Sequence, residues 1–130
     1  MIELGSYVEG KCTKRKGKAA ELVNPATEAV VATTSTEGLD FGAALAFARE
    51  KGGPALRAMT FAQRGEMLRA MSRAIHSKRD ELLSIAQANG GNTRGDAKFD
   101  VDGVSGTLAA YADLAAELGD GHVLAEGAAK

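Results

Sequence analysis

A single cysteine, Cys12, and no tryptophan occur in this chain of 130 residues. One thiol excludes an intramolecular disulfide and fits a reducing compartment. An excess of either charge is also missing. The net charge of -1 gives no electrostatic reason for nucleic acid or an anionic membrane as partner. No stretch approaches the roughly 18 apolar residues needed to span a bilayer. Residues 1–10 carry Glu3 and Glu9 without a long apolar run, unlike a secretory signal. These absences lead us to expect a soluble, cytoplasmic chain. What is present is ordinary for a globular protein: 45% hydrophobic and 25% charged residues, enough for one modest core or part of a domain.

The first forty residues read as β structure. Tyr7 and Val8 give a strand signal within residues 6–12, and residues 14–18 form a basic turn with Gly17 at its tip. A strand over residues 19–23 stops at Asn24-Pro25, where proline fixes its own φ and restricts its neighbour. Val and Thr across residues 29–36 predict another strand. Three short strands in a small meander or hairpin pair are expected. From Leu39 the period lengthens to about 3.6. Phe41, Ala44, Leu45 and Ala48 share a face of a helix expected to stop at Gly52-Gly53-Pro54, with a short helical turn following. Thr60 and Gln63 form a capping box for a helix carrying Met67, Leu68, Met71 and Ile75. A break near Ser77, with Ser77 and Asp80 as a second box, opens a helix carrying Leu82, Ile85 and Ala86 that ends at Asn89-Gly90-Gly91. The last helix is expected from about 93–96 to Leu118, with Val101, Val104, Leu108, Tyr111, Leu114 and Leu118 as its apolar stripe. Gly103 and Gly106 inside it each cost roughly 1 kcal/mol against alanine, which suggests close approach by a helix or ligand. Residues 119–130 read as a frayed tail.

Few side chains suggest chemistry. Cys12 lies near Lys11 and Lys14, but the only histidines, His76 and His122, fall far along the chain, so an inert cysteine is the preferred reading. Asp96, Asp100 and Asp102 are close in sequence, yet Asp102 points off the face shared by the other two. Acids early in a helix suit its dipole better than a metal. The Gly-rich stretch 89–96 follows a helix rather than a strand and matches no phosphate-loop spacing, so it reads as a connector. The triplet Arg94-Gly95-Asp96 is read as chance. The basic run at 14–18 contains no aromatic residue and reads as a solvated hairpin tip. No catalytic, cofactor or metal residue emerges.

Several runs are similar to a known family. Ser6-Tyr-Val-Glu-Gly-Lys11 and Val23-Asn-Pro-Ala-Thr27 resemble the opening hairpins of the aldehyde dehydrogenase superfamily. Cys12 stands where a tryptophan is usual, and the turn lacks the glycine expected after Thr27. Gly53-Pro-Ala-Leu-Arg-Ala-Met-Thr-Phe61, Ala88-Asn-Gly-Gly-Asn-Thr-Arg94, Asp100-Val-Asp-Gly103 and Gly106-Thr-Leu-Ala-Ala-Tyr-Ala112 resemble one branch of it. That branch holds the semialdehyde dehydrogenases of aerobic aromatic-acid breakdown, phenylacetate degradation included, which oxidise an aldehyde on a ring-opened coenzyme A thioester. The resemblance runs from about residue 6 to 121.

The resemblance implies an α/β parent, of which this chain supplies N-terminal β-hairpins followed by a layer of helices. It implies that residues 1–121 are the first part of a cofactor-binding domain and 122–130 a tail. It further implies that the cysteine nucleophile, the glutamate base and the residues gripping NAD or NADP lie beyond Lys130. The chain is then expected to be inactive alone, while the parent is a homo-oligomer acting on an aldehyde. Phe99, Asp100 and Gly103 are expected near the aldehyde tunnel. A rival expectation from the residues themselves is a stand-alone helical module that docks a partner protein through Val104, Leu108, Tyr111 and Leu114.

Overall fold

The structure is a computed structural model that describes residues 2–14 and 16–124. Five short strands come first: β1 (Ile2–Glu3), β2 (Ser6–Val8), β3 (Lys11–Thr13), β4 (Ala20–Val23) and β5 (Val30–Thr34). The strand signal at Tyr7 and Val8 is β2, and Cys12 belongs to its antiparallel partner β3. Glu9 and Gly10 turn this hairpin with φ of 52° and 76°. Two successive positive φ values match the right-handed twist of the flanking strands. Of the expected meander or hairpin pair, the hairpin pair forms, β2 with β3 and β4 with β5, with five strands in place of three. β5 lies at the centre of a three-stranded sheet, with β4 antiparallel on one side and β1 parallel on the other. Leu4 N–H extends the parallel edge by donating to Thr33 O at 2.8 Å.

Between β4 and β5 the Asn24-Pro25 turn forms as expected. Asn24 Oδ1 accepts from Ala26 N–H at 2.9 Å and Asn24 O from Glu28 N–H at 2.8 Å. Glu28, which follows Thr27 where the resemblance anticipates glycine, has φ of 60°. A side chain in this left-handed region is disfavoured by roughly 1–2 kcal/mol, and the two turn hydrogen bonds hold it there.

Asp40 opens the helical layer by accepting from Ala43 N–H at 2.8 Å, capping α1 (Phe41–Phe47). Gly52-Gly53-Pro54 does not stop the helix. A π turn over Ala48–Gly52 leads directly into α2 (Gly53–Ala58), with Gly53 N–H bonded to Ala48 O five residues back. Proline has no N–H and its ring crowds the carbonyl four residues earlier. A widened turn just before Pro54 relieves that crowding without leaving helical geometry.

Helix α3 (Phe61–Ser77) starts at the expected Thr60–Gln63 box, and α5 (Arg94–Leu118) at an equivalent Thr93–Asp96 box. α4 (Arg79–Gly90) ends at Gly91 in the left-handed conformation. A Cβ at Gly91 would lie 2.7 Å from Pro25 Cγ, so this connector is packed against the β-turn. The second capping box at Ser77 and Asp80 does not form. Ser77 is still helical and donates to Ala74 O at 2.8 Å, whereas an N-cap needs extended backbone. Residues 119–121, expected to fray, instead cap α3: Phe61 N–H donates to Gly121 O at 2.9 Å and Ala62 N–H to Gly119 O at 2.8 Å. These are among the N–H groups a helix start leaves unpaired. The tail expected over 122–130 lies mostly outside the described residues.

Packing corrects the expected faces. α3 lies along α5 through Gly65, where an added Cβ would stand 2.8 Å from Ala115 Cβ and 3.1 Å from Ala112 O. The buried side of α5 is Ala97, Ala112 and Ala115, with Val101 and Leu108 half-buried. Val104, Tyr111, Leu114 and Leu118 of the apolar stripe are exposed. On α4, Leu83 is fully enclosed and Ile85 is not. Ile85 looks across an open apolar cavity of about 500 Å³ toward Leu4, Leu22 and Val31 of the sheet. A Cβ at Gly103 or Gly106 would meet nothing within 4 Å, so neither glycine is needed here for a close contact among the described residues.

Candidate functional site

Two adjoining regions of α5 carry what the chain has to offer. The first is the set named by the resemblance. Phe99 and Gly103 are one turn apart, and Asp100 sits three residues from Gly103, so all three occupy neighbouring positions of one helical surface. Phe99 is 83% exposed and Asp100 and Gly103 are exposed. With no atom within 4 Å of a Cβ at Gly103, the opposing wall of a tunnel is not supplied by residues 2–14 or 16–124. Exposure of Tyr111 and Leu114 on the same helix extends this surface toward its C-terminus.

The second region is a groove of about 610 Å³ where α3 meets α5, lined by Arg73, His76, Arg79, Asp102, Ser105 and Gly106 among others. The sequence motifs do not bring these residues together as a site, and the spacing of Arg73, His76 and Arg79 at successive threes is the signal that points to the groove. Asp102, considered above as a metal-type acid, instead receives two hydrogen bonds from Arg79, Nε to Oδ1 at 2.6 Å and an Nη to Oδ2 at 2.7 Å. These bonds hold the Asp102 carboxyl below its ordinary value of 3.8, with smaller contributions from the Arg79 charge, His76 and Lys98. The same bonds raise Arg79. Ser72 Oγ ties the helices together by donating to Ser105 O at 2.8 Å.

The sign of the pH effect follows. A carboxyl whose pKa is lower in the folded chain stabilises the fold above its unfolded value, and that contribution is lost as pH falls through the folded value. Asp102→Asn is therefore expected to lower the urea midpoint at pH 7, with the gap to the parent closing below roughly pH 4. An equal gap at both pH values would assign the effect to packing rather than charge.

The remaining candidates do not assemble into a site. Cys12 is exposed in β3, in a pocket with Ser6, Tyr7 and Lys14, while His76 lines the helical groove. Among the described residues no three His, Cys, Asp or Glu side chains are placed to hold a metal, and no helix is long and apolar enough to cross a membrane. A dinucleotide does not fit the Gly-rich connector at 89–96. It follows a helix, and Pro25 and Ala26 fill the space over Gly91 that a pyrophosphate would need.

The arrangement of short strands followed by helices has counterparts in known proteins. The chain belongs to the aldehyde dehydrogenase family, whose model matches residues 12–129. It is 40% identical over 126 residues to 3,4-dehydroadipyl-CoA semialdehyde dehydrogenase of Aromatoleum evansii, covering 97% of this chain and 24% of that protein. It is 33% identical over 104 residues to a chloroplastic aminoaldehyde dehydrogenase of Arabidopsis thaliana, covering 75% of this chain and 21% of the relative. The fold is shared with lactaldehyde dehydrogenase from Escherichia coli, at a TM-score of 0.80 and 23% identity, over 88% of this chain and 24% of that one. An NAD-dependent benzaldehyde dehydrogenase from Corynebacterium glutamicum aligns at a TM-score of 0.75 and 16% identity, over 86% and 25%. The chain thus spans about a quarter of the length of these relatives.

Proposed function

We propose that the chain is the N-terminal part of the cofactor-binding domain of an NAD(P)-dependent aldehyde dehydrogenase that oxidises a coenzyme A-linked semialdehyde to the acid. Residues 1–121 form that part and 122–130 a tail. The enzyme is cytoplasmic and homo-oligomeric in this reading, with cofactor and nucleophile held outside these residues. The observation that carries the proposal is 40% identity, along nearly the whole chain, to a relative whose name specifies a coenzyme A semialdehyde. The open apolar surface of Phe99, Val104, Tyr111 and Leu114 fits a segment that packs on the remainder of a larger subunit. Among the described residues no nucleophile and base are brought together, and the isolated chain is expected to show no aldehyde-dependent reduction of NAD or NADP. Turnover by the chain alone would overturn this reading.

In the same proposal Gly103 widens the entrance for a bulky thioester, with Phe99 and Asp100 beside it. Gly103→Met, made in the enzyme that carries this sequence, is expected to raise KM for the thioester semialdehyde roughly tenfold and to change KM for a short aldehyde far less. An unchanged thioester KM would remove Gly103 from the entrance.

A further inference from the structure

Among the described residues, three arginines of α3, α4 and α5 are matched by carboxylates, whereas Arg49, Arg57, Arg64 and Arg73 are not, and of these four Arg73 is the one that lines the groove. Arg69 on α3 meets Asp113 on α5 at 2.7 Å. Arg79 at the start of α4 meets Asp102 through two hydrogen bonds, and Arg94 meets Asp80 at 3.0 Å. Arg73 lies one turn beyond Arg69 and has no carboxylate partner among the described residues. Across the groove α5 contributes Asp102, Ser105, Gly106 and Ala109, and the one carboxylate among them is taken by Arg79. His76, on the next turn of α3, lines the same groove and is likewise outside every ion pair. A Cβ at Gly106 would meet nothing within 4 Å, so the groove stays open where a side chain would otherwise partly fill it.

The polar groups of the groove sort by what they have left to give. The hydroxyl of Ser72 donates to Ser105 O, that of Ser105 to Asp102 O, and that of Ser77 to Ala74 O. Asp102 is occupied by Arg79. The uncommitted donors are the guanidinium of Arg73, the His76 ring and the rest of Arg79. A guanidinium fork offers paired N–H groups and no acceptor, an arrangement that suits phosphate oxygens. Asp102 offsets the charge of Arg79, leaving Arg73 as the unpaired cation of the groove.

We propose that this groove binds a phosphate or pyrophosphate group, and that it does so as the docking point for the nucleotide tail of a coenzyme A thioester. The second half rests on the functional reading above. Asp102 and Gly106 flank Gly103 on α5, and Gly103 lies about 4.5 Å along the axis from Gly106. A tail held at Arg73 therefore sits beside the entrance through which the acyl arm would pass. A 2′-phosphate of NADP has the same chemistry, and the experiment separates the two sources.

The 15N-labelled chain is titrated with inorganic pyrophosphate, coenzyme A, dephospho-coenzyme A and NADP, and amide shifts are followed by NMR. Pyrophosphate and coenzyme A are expected to move amides of residues 72–79 and 102–109. Arg73→Gln is expected to weaken pyrophosphate roughly fivefold, about 1 kcal/mol, with an unchanged circular dichroism spectrum. Lys51→Gln, on the distant π turn, is expected to leave the affinity as it was. Equal affinity in Arg73→Gln and the parent, or shifts confined to other residues, would overturn the anion site. Tighter binding of NADP than of coenzyme A, lost in Arg73→Gln, would overturn the thioester assignment and leave the anion site standing. Failure of the functional reading is separate: the enzyme that carries this sequence would not oxidise a thioester semialdehyde, while pyrophosphate would still bind at Arg73.

Discussion

Leu83→Ala is expected to lower the unfolding free energy by about 2–5 kcal/mol. Leu83 is 0% exposed and is the one large side chain among the described residues that is completely enclosed. The other most buried positions are small: Ala32, Ala97, Ala112 and Ala115. A core built from alanines loses little when any one of them changes, but truncating Leu83 removes apolar volume that rigid neighbours cannot refill. The total stability of a domain is only about 5–15 kcal/mol, so this single change consumes a large share of it. Urea unfolding followed by circular dichroism measures the loss, with Ile85→Ala as the comparison. Ile85 is 54% exposed and should lose much less. A Leu83→Ala loss no larger than that of Ile85→Ala would show that α4 is not anchored by Leu83.

The second large effect is expected at Gly65. A Cβ there would stand 2.8 Å from Ala115 Cβ and 3.1 Å from the Ala112 carbonyl oxygen, and the latter cannot swing aside without disturbing α5. Gly65→Val places two further methyl groups near this contact and should destabilise by about 1–3 kcal/mol through overpacking. Gly65→Ala should be milder, because alanine recovers roughly 0.5–1 kcal/mol of helix propensity against the displacement it forces. The Arg69–Asp113 pair and the Ser72–Ser105 hydrogen bond lie in the same seam and should loosen as α3 is pushed away. Measured stabilities in the order glycine, alanine, valine would support the close crossing. A valine variant as stable as the parent would mean that α3 and α5 are farther apart than the structure has them.

The two glycines predicted to permit close approach, Gly103 and Gly106, and the one that does so, Gly65, show where sequence reading reaches its limit. Each is a glycine inside a helix, with the same local cost. What separates them is the partner surface, and that partner is forty or more residues away in the chain. The apolar stripe of α5 misled for a related reason. Large residues at threes and fours mark a face that will be covered, but not by what. Within this chain α3 takes the face of alanines instead, because small side chains on both helices let the backbones come near. Val104, Tyr111, Leu114 and Leu118 stay on the outside.

Most local signals were legible, although the Ser77–Asp80 box and the Gly52-Gly53-Pro54 stop were not realised. The Thr60–Gln63 box, the break after Ser77, the left-handed stop at Gly91, the start of α5 and the Asn24-Pro25 turn all depend on groups within three to five residues of one another. The similarity of quoted motifs to aldehyde dehydrogenases needed no coordinates either. Contacts between distant segments were decided only on folding. Parallel pairing of β1 with β5 joins residues thirty apart, and α3 is capped by carbonyls of Gly119 and Gly121. The π turn before Pro54 trades one hydrogen-bond register for another. The unpaired charge of Arg73 appeared only once Arg69 and Arg79 on either side of it had found their carboxylates. Capping boxes and tight turns such as those at Thr60 and Asn24 are set by the chemistry of adjacent residues, so the sequence determines them; packing, charge pairing and the cap that residues 119–121 place on α3 are set by which surfaces meet, and only the tertiary structure chooses those.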